Sequence, residues 1–300
     1  MQKLREFCLD MQMPALWRAP MSDYSTFRIG GCADALVFPD SEEELLRLLV
    51  FLKAEGIPFR VLGNASNLLF SDSGFRGALV TTRHVRSVST LGNTVRAASG
   101  TPINVLCRTM ADASLDGLAS LYGIPATVGG AVFMNAGAFG SSISDSLDFV
   151  TVLDMQSGKT ETMPKKDCEL GYRSSVFSRR RELVILSATF KAVKGEGERI
   201  REKMKAALSA RAEGHPTALP SAGSVFKKQE GKSAGAFIEG AGLKGARLGG
   251  AAVSDKHAGF IVNLGGATAK DVLSLIALIK ERVYEKYGVL LDTEIEYVEN

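Results

Sequence analysis

Residues 123–140 form the segment of this 300-residue chain whose composition most clearly suggests ligand binding. Five glycines stand at positions 123, 129, 130, 137 and 140, among small side chains and one proline. Neither a helix nor a strand needs such a run, whereas glycine lets the backbone approach a ligand closely and adopt positive φ. Exposed N–H groups in such a segment bind a phosphate or a flat polar ring. We therefore interpret the segment as one wall of a cofactor site.

A second glycine turn, residues 63–67, follows a short predicted strand at 57–62. Successive N–H groups, with the side chains of Ser66 and Asn67, would suit a pyrophosphate. An ordinary polar loop between two strands is the alternative on this pattern alone. No G-x-G-x-x-G opens a long helix in a βαβ unit, so the turn is not a Rossmann fingerprint. The two glycine segments would instead hold one extended ligand between them.

Three further polar positions could carry chemistry. Arg173, two residues after Gly171, could bind a carboxylate bidentately, or be a surface arginine at a strand start. Ser224 lacks a G-x-S-x-G context, which disfavours a hydrolase nucleophile; its hydroxyl could protonate a carbanion or merely stabilise a turn. Glu294 and Glu296 alternate with apolar residues, so on a strand they would share one face, either inward or solvated.

Composition excludes several classes of protein. Hydrophobic residues make up 45% and charged residues 23% of the chain, and the net charge of +3 with no basic stripe argues against nucleic acid as a partner. Residues 1–10 resemble neither a signal peptide nor a membrane span. Four scattered cysteines without a C-x-x-C pair predict reduced cytosolic thiols, and with only three histidines we expect no metal site.

The elements that must position these residues mix helices and strands, which predicts an α+β fold. Ser41 and Glu44 form a capping-box pattern before an amphipathic helix that Gly56 ends. Thr268 begins a long helix that runs to Tyr287. The remaining expected elements are strands at 77–81, 94–98, 183–190, 259–264 and 289–298, a hairpin at 149–163, helices at 102–113 and 198–213, and a linker at 214–223.

Taken together and in order, these segments resemble the UDP-N-acetylenolpyruvoylglucosamine reductases, flavoenzymes of peptidoglycan precursor synthesis. The resemblance spans residues 24–298 and rests on segments 26–31, 63–72, 123–140, 171–173, 220–224 and 291–294. It implies a vanillyl-alcohol-oxidase/PCMH-type FAD-binding module of two subdomains, residues 1–80 and 81–213. A C-terminal α+β substrate-binding domain, residues 214–300, would follow, its last strand returning towards the active site.

The activity that the resemblance implies is the NADPH-dependent reduction of UDP-N-acetylglucosamine enolpyruvate to UDP-N-acetylmuramate, with non-covalent FAD. Hydride would pass from NADPH to FAD and then to the enolpyruvyl β-carbon. Ser224 matches the family's proton donor to the α-carbon, and Arg173 with Glu294 matches the pair that polarises the carboxylate. Glu294 would have to be neutral, so we predict that burial raises its pKa. A cytoplasmic monomer that binds neither nucleic acid nor membrane is expected.

Binding residues carry over in the same way. The spacing of 51 positions between Arg173 and Ser224 resembles the shorter family subtype, which lacks an extra tyrosine-bearing loop. Tyr172 and Lys227 are the implied substrate contacts. The implied cofactor contacts are Arg28, Gly63, Asn64, Ala65, Ser66, Asn67, Gly123, Ile124, Pro125, Thr127, Val128, Gly129, Gly130, Asn135 and Gly137.

Four positions depart from the usual family pattern. Ala65 and Ala126 stand where glycine is common, and we expect FAD binding to survive if φ is negative at both. His215 and Gln229 replace a usual glutamine and proline, near the expected substrate-diphosphate contacts. Two alternatives stay open: an FAD-dependent oxidase of the same fold acting on a sugar or alcohol, and a non-catalytic nucleotide-sugar or flavin-binding protein.

Overall fold

The computed structural model describes residues 1–229 and 231–299, and it divides the chain into two compact units interleaved along the sequence. The first unit comprises Met1–Leu16, Ala35–Asn64 and Gly77–Arg211. The second comprises Trp17–Asp34, Ala65–Arg76 and Ala212–Asn300. Both units combine helices with antiparallel sheet, as in an α+β fold. The division of residues 1–213 into two subdomains at residue 80 stays a prediction.

A five-stranded antiparallel sheet forms the centre of the first unit. Its strands, in spatial order, are Lys159–Pro164, Leu147–Asp154, Leu183–Lys191, Thr94–Ala98 and Val88–Leu91. The predicted hairpin and the strands at 94–98 and 183–190 are therefore confirmed. Eight of the nine residues of Leu183–Lys191 are buried, because this strand lies in the middle of the sheet. The helices of this unit are Gln2–Asp10, Glu42–Ala54, Ile103–Asp112, Val128–Phe133, Ile143–Ser146, Val176–Arg179 and Gly197–Gly214.

A second sheet, two short strand pairs and three 3₁₀ turns complete this part of the chain. The sheet has the order Ala15–Pro20, Cys32–Val37, Phe75–Thr81 and Phe59–Leu62, and its last two strands are parallel. Two-stranded pairs are Gly137–Ala138 with Ser141–Ser142, and Leu115–Asp116 with Val193–Lys194; 3₁₀ turns are Thr82–His84, Ala119–Leu121 and Lys165–Cys168.

The helix Glu42–Ala54 begins as its sequence predicts, with one difference. Ser41 Oγ accepts the N–H of Glu44 at 3.1 Å, which is the expected N-cap. The Glu44 carboxylate accepts the N–H of Asp40 at 2.8 Å rather than that of Ser41, so it bonds one residue outside the expected capping box. Leucines at helical spacing are buried along one face, which fixes the helix on the unit.

The second unit is built around a four-stranded sheet in the order Ser221–Ser224, Phe260–Asn263, Ala251–Val253 and Arg247–Leu248. The helix Ala269–Tyr287 packs on this sheet and buries Val272, Leu275, Ile279 and Val283. Its remaining regular elements are the helices Met21–Tyr24 and Ala234–Gly240 and the parallel strand pair Leu68–Phe70 with Glu296–Val298.

Both ends of the long helix have the capping that the sequence predicts. Thr268 and Asp271 form a complete capping box, and Gly288 ends the helix in the left-handed conformation with φ +66°. The carboxylate of Asp72, almost 200 positions earlier, also accepts the N–H groups of Ala269 at 2.7 Å and Lys270 at 3.1 Å. Non-local capping of this kind has no local sequence signal.

Two expectations for the second unit are wrong in part. The linker at 214–223 is interrupted by the strand Ser221–Ser224, since this segment pairs with Phe260–Asn263. The expected strand at 289–298 is reduced to Glu296–Val298. Glu294 therefore precedes the strand, and the inference that Glu294 and Glu296 share a strand face does not hold.

Candidate active site

Gly63 and Asn64, which begin one glycine segment, lie against the other glycine segment within the first unit. Asn64 donates from Nδ2 to the Pro125 carbonyl at 2.9 Å, and a Cβ at Gly63 would lie 2.3 Å from Thr127 Oγ1. Only glycine fits at position 63 for this reason. The loop is supported from behind by Arg83, which donates from Nη2 to the Asn64 carbonyl at 3.0 Å. The structure thus brings together two predicted cofactor segments that are 60 residues apart in sequence.

The N–H groups of the second segment are used differently from what the sequence suggests. Val128 donates to the Thr101 carbonyl and Gly129 to the Ser99 carbonyl, both at 2.8 Å. Gly130 donates to Thr127 Oγ1 at 3.4 Å. The expectation of free N–H donors is therefore wrong at these three positions, because the one-and-a-half-turn helix Val128–Phe133 begins there. What the glycines contribute is small size: a Cβ at position 129 would meet the Ser99 side chain at 2.9 Å.

Ala65 and Ala126 differ in backbone conformation. Ala65 has φ +51°, in the left-handed region that favours glycine, whereas Ala126 keeps a negative φ. The negative φ on which we based the expectation of retained FAD binding is present at position 126 and not at position 65. Ala65 is also buried, at 6% exposure, so its methyl group is packed while its backbone is strained.

Glycine at these two positions should have different effects on stability. Ala65→Gly should leave the free energy of unfolding unchanged or raise it by up to about 1 kcal/mol, since relief of left-handed strain offsets the lost methyl and the added chain entropy. Ala126→Gly has no strain to relieve and should lower the free energy of unfolding by about 0.5–1 kcal/mol. Urea denaturation of the two variants measures the difference. Equal losses at both positions would contradict a strained Ala65.

Arg173 lies on a tight turn close to the glycine-rich wall. Its backbone has φ +50°, and Nη2 donates to the Gly137 carbonyl at 2.9 Å. The guanidinium carbon lies 5.3 Å from the centroid of the exposed Tyr172 ring. Asn135 joins the turn to the wall, because its Nδ2 donates to the Gly171 carbonyl at 2.9 Å. The predicted residues Tyr172, Arg173, Asn135 and Gly137 are therefore gathered at one place in the first unit.

Arg211, which the sequence did not single out, belongs to the same region. It is half-buried near the end of the helix Gly197–Gly214, with its guanidinium carbon 5.8 Å from the Phe139 ring centroid. A Cβ at Gly123 would come within 3.3 Å of Arg211 Nε. Burial lowers the pKa of Arg211, and the positive charge of Arg173 lowers it further. Two arginines thus direct positive charge at the same part of the unit.

Ser224, Lys227 and Glu294 come together in the second unit. Ser224 ends its strand, and the backbone that follows pairs with the chain before the last strand. Glu294 donates its N–H to the Val225 carbonyl at 2.7 Å, and Lys227 donates its N–H to the Asp292 carbonyl at 2.9 Å. An isolated antiparallel bridge between residues 226 and 293 lies between these two bonds. Two acid–base candidates 70 positions apart in sequence are therefore neighbours across paired backbone.

Asn67, a residue of the predicted cofactor loop, is hydrogen-bonded to the backbone of the Glu294 segment. Its Nδ2 donates to the Glu294 carbonyl at 3.0 Å, and its carbonyl accepts the N–H of Glu296 at 2.9 Å. The strand pair Leu68–Phe70 with Glu296–Val298 continues the same contact in parallel register. At least one amide hydrogen of Asn67 is thus bound to the Glu294 carbonyl and not to a ligand. Ser66, its half-buried neighbour, stays a predicted contact.

Arg28 is the remaining predicted cofactor contact. Its side chain is exposed and its backbone has φ +55°, while the neighbours Phe27 and Ile29 are fully buried in the core of the second unit. Thr26 fixes the segment by donating from Oγ1 to the Ser221 carbonyl at 2.8 Å. The segment 26–29 is therefore tied directly to the strand that ends at Ser224.

Other chemistries have less support in the structure. All four cysteines are free, and burial raises the pKa of Cys107 to about 12 and of Cys8 and Cys168 to about 11, so these thiols are poor nucleophiles. No cluster of His, Cys, Asp or Glu within residues 1–229 and 231–299 is suited to hold a metal ion. Of the helices described, none has both the length and the apolarity needed to cross a bilayer.

Two family models match the chain and define the class of protein to which it belongs. Residues 33–163 match a family model described as an FAD binding domain, and this range contains both glycine segments. The class is therefore that of FAD-binding proteins with a non-Rossmann module. Residues 215–298 match the C-terminal domain of UDP-N-acetylenolpyruvoylglucosamine reductase, a range that contains Ser224, Lys227 and Glu294.

Relatives that match over the whole chain identify the family. UDP-N-acetylenolpyruvoylglucosamine reductase of Caldicellulosiruptor bescii is 43% identical over 93% of this chain and 89% of its own length. The enzyme of the same name from Geobacillus kaustophilus is 40% identical over 99% of this chain and 96% of its own length. The crystal structure of the Thermus caldophilus reductase superposes with a TM-score of 0.78 at 35% identity, covering 96% of this chain and 99% of that one. The chain belongs to the UDP-N-acetylenolpyruvoylglucosamine reductase family, and the predicted fold class is confirmed.

The residues present fit FAD on structural grounds as well. Gly63 and Thr127 bring two segments into contact, and Gly123 and Pro125 keep backbone and ring surface accessible beside them. Ser99 Oγ, behind Gly129, is buried and makes no hydrogen bond within the described part of the chain. Accessible backbone, small residues and nearby hydroxyls suit a flat ring with a diphosphate.

Proposed function

We propose that the chain catalyses the NADPH-dependent reduction of UDP-N-acetylglucosamine enolpyruvate to UDP-N-acetylmuramate. It would be an FAD-containing oxidoreductase of peptidoglycan precursor synthesis. The observation that carries this proposal is the backbone pairing that makes Ser224 and Glu294 neighbours. An acid-rich segment and an alcohol placed side by side can control protonation of a carbon acid, which is the second half of this reaction. The family membership of the chain supports the same activity.

Non-covalently bound FAD would supply the hydride-transfer chemistry that links NADPH to the enolpyruvyl β-carbon. Arg173 binds the enolpyruvyl carboxylate through its planar guanidinium, with its turn held by the Gly137 and Gly171 carbonyl contacts. Negative charge grows on the carboxylate side as the β-carbon gains hydride. A cation already in place stabilises that charge most in the transition state, which raises kcat and not only affinity.

Ser224 donates the proton that completes the product. Its hydroxyl protonates the α-carbon once the β-carbon has gained hydride, and the proton is then replaced from its surroundings. Glu294, in its neutral form, donates a hydrogen bond to the substrate carboxylate. The raised pKa of Glu294 stays a prediction. Asn67 keeps the Glu294 segment in place through the carbonyl contact at 3.0 Å.

The binding residues follow from the same proposal. We assign the FAD contacts to Arg28, to residues 63–67 and, in the second glycine segment, to residues 123–125, 127–130, 135 and 137. Lys227 would place its ammonium group on the substrate diphosphate, and Tyr172 would pack against the substrate. A cytoplasmic monomer with roles in cell-wall biogenesis, cell shape and division accords with a cytosolic nucleotide-sugar substrate. These assignments are proposals for mutagenesis.

The alternatives predict different observations. An FAD-dependent oxidase of the same fold would oxidise a sugar or alcohol with oxygen and would not need Arg173, Ser224 and Glu294 as a set. A non-catalytic nucleotide-sugar or flavin-binding protein would bind without turnover. Retention of all three polar positions favours the reductase.

The absorbance of the purified protein tests the proposal. A flavin spectrum, together with NADPH oxidation that depends on UDP-N-acetylglucosamine enolpyruvate, is the expected result. NADPH oxidation at the same rate without that substrate would contradict the reductase. Absence of flavin after reconstitution with FAD would overturn the cofactor assignment as well.

A further inference from the structure

We propose that Asn263 is a positioning residue that fixes the backbone of Arg28 so that the exposed guanidinium engages FAD. This inference rests on the proposed function, in which Arg28 is a cofactor contact. Asn263 lies at the end of the strand Phe260–Asn263 and is buried, with 6% exposure. The side chain therefore cannot contact solvent-borne ligands itself and acts through the groups it holds.

Arg28 needs external support because its backbone is strained. A non-glycine residue at φ +55° is disfavoured, and such residues persist where neighbouring structure holds them. Its N–H donates to the Ser25 carbonyl at 3.2 Å, and Phe27 and Ile29 anchor the turn in the core at 0% and 1% exposure. Burial of these two neighbours turns the intervening side chain outwards. The turn still has carbonyl groups that need donors.

Asn263 supplies those donors. Its Nδ2 lies 3.2 Å from the carbonyl oxygens of both Phe27 and Arg28. Its Oδ1 accepts the N–H groups of Gly265 at 2.9 Å and Ala267 at 3.2 Å, just before the long helix. One buried amide therefore joins the Arg28 turn to a rigid strand and to the approach of the helix. All four polar contacts are to backbone, so the orientation of the amide is defined.

Replacing the Asn263 amide with a carboxylate changes the contacts of the donor side and keeps those of the acceptor side. Asn263→Asp keeps the oxygen that accepts from Gly265 and Ala267, but it places an oxygen against the Phe27 and Arg28 carbonyls. Dilution of the holoenzyme, followed by flavin fluorescence, should show FAD release with a Kd about tenfold weaker. Ser254→Ala is the matched control, since Ser254 is equally buried and its Oγ accepts the N–H groups of Lys256 and His257. The control should leave the FAD Kd unchanged.

A double-mutant cycle distinguishes positioning from a general loss of stability. If Asn263 acts through Arg28, Asn263→Asp should have little further effect on the FAD Kd in the Arg28→Ala background. An equal effect in both backgrounds would overturn the proposal, because it would show that Asn263 acts independently of Arg28. If Arg28→Ala alone leaves the FAD Kd unchanged, the inference fails, whereas substrate-dependent NADPH oxidation would show that the proposed reaction stands. Asn263→Ser, whose hydroxyl is too short to reach both sides, replaces the aspartate variant if that variant does not fold.

Discussion

Ser224→Ala should slow reoxidation of the reduced flavin by the enolpyruvyl substrate by about 10²–10⁴-fold. The reason is that the hydroxyl is the proposed proton donor to the α-carbon, and a methyl group has no proton to give. Reduction of the flavin by NADPH should keep its rate, because that half-reaction does not involve the α-carbon. Stopped-flow absorbance measures the two half-reactions separately.

Ser221→Ala is the matched control, since Ser221 begins the strand that Ser224 ends. Both half-reactions of this control should stay within about twofold of the wild type, the effect typical of a polar side chain without a chemical role. Unchanged reoxidation in Ser224→Ala would exclude Ser224 as the proton donor. A parallel loss in both half-reactions would indicate disturbed FAD binding and not lost protonation.

Arg173→Lys should lower kcat/KM for the enolpyruvyl substrate by about 10²–10³-fold. Lysine keeps the positive charge but cannot form the bidentate, planar contact with a carboxylate. Part of the loss should appear in kcat, because the charge on the carboxylate grows in the transition state. Steady-state NADPH oxidation at varied substrate concentration gives both parameters.

Arg179→Lys provides the comparison, because Arg179 lies six residues after Arg173, is exposed and forms an ion pair with Glu169. Its kinetic parameters should match those of the wild type. A rise in KM alone for Arg173→Lys would show that Arg173 binds ground state and transition state equally. That result would remove its proposed role in stabilising the developing charge.

The sequence predicted helix ends better than strand ends, for a physical reason. The Ser41 and Thr268 caps are local, since the side chain and the N–H it accepts are three residues apart. The prediction of a strand over residues 289–298 was wrong in part, because alternating polar and apolar residues occur in any extended segment with one buried side. Residues 296–298 pair with the strand Leu68–Phe70, which lies more than 200 positions away, whereas residue 293 forms only an isolated bridge with residue 226.

The predicted site residues stood out by composition, spacing or family motif, whereas Arg83 and Arg211, which lie beside some of them in the structure, match no motif. Arg83 follows a buried strand and Arg211 lies in a charged helix, so each resembles an ordinary surface arginine in sequence. Their contacts, to the Asn64 carbonyl and beside the Phe139 ring, arise from tertiary structure alone. The expectation of free N–H groups at Val128, Gly129 and Gly130 was wrong for the same reason. Two of these groups donate to the carbonyls of Thr101 and Ser99, which belong to another segment of the chain.

The interleaving of the two units has a consequence for synthesis on the ribosome. Phe27, Ile29 and Leu69 belong to the same hydrophobic core as residues beyond 212. At about 5–20 residues per second, the early segments wait about 10–40 s for the rest of that core to be translated. During this interval their apolar side chains have no native partners and are available to chaperones. A fragment restricted to the carboxyl-terminal third would emerge with the opposite defect, a core that lacks its amino-terminal contributors.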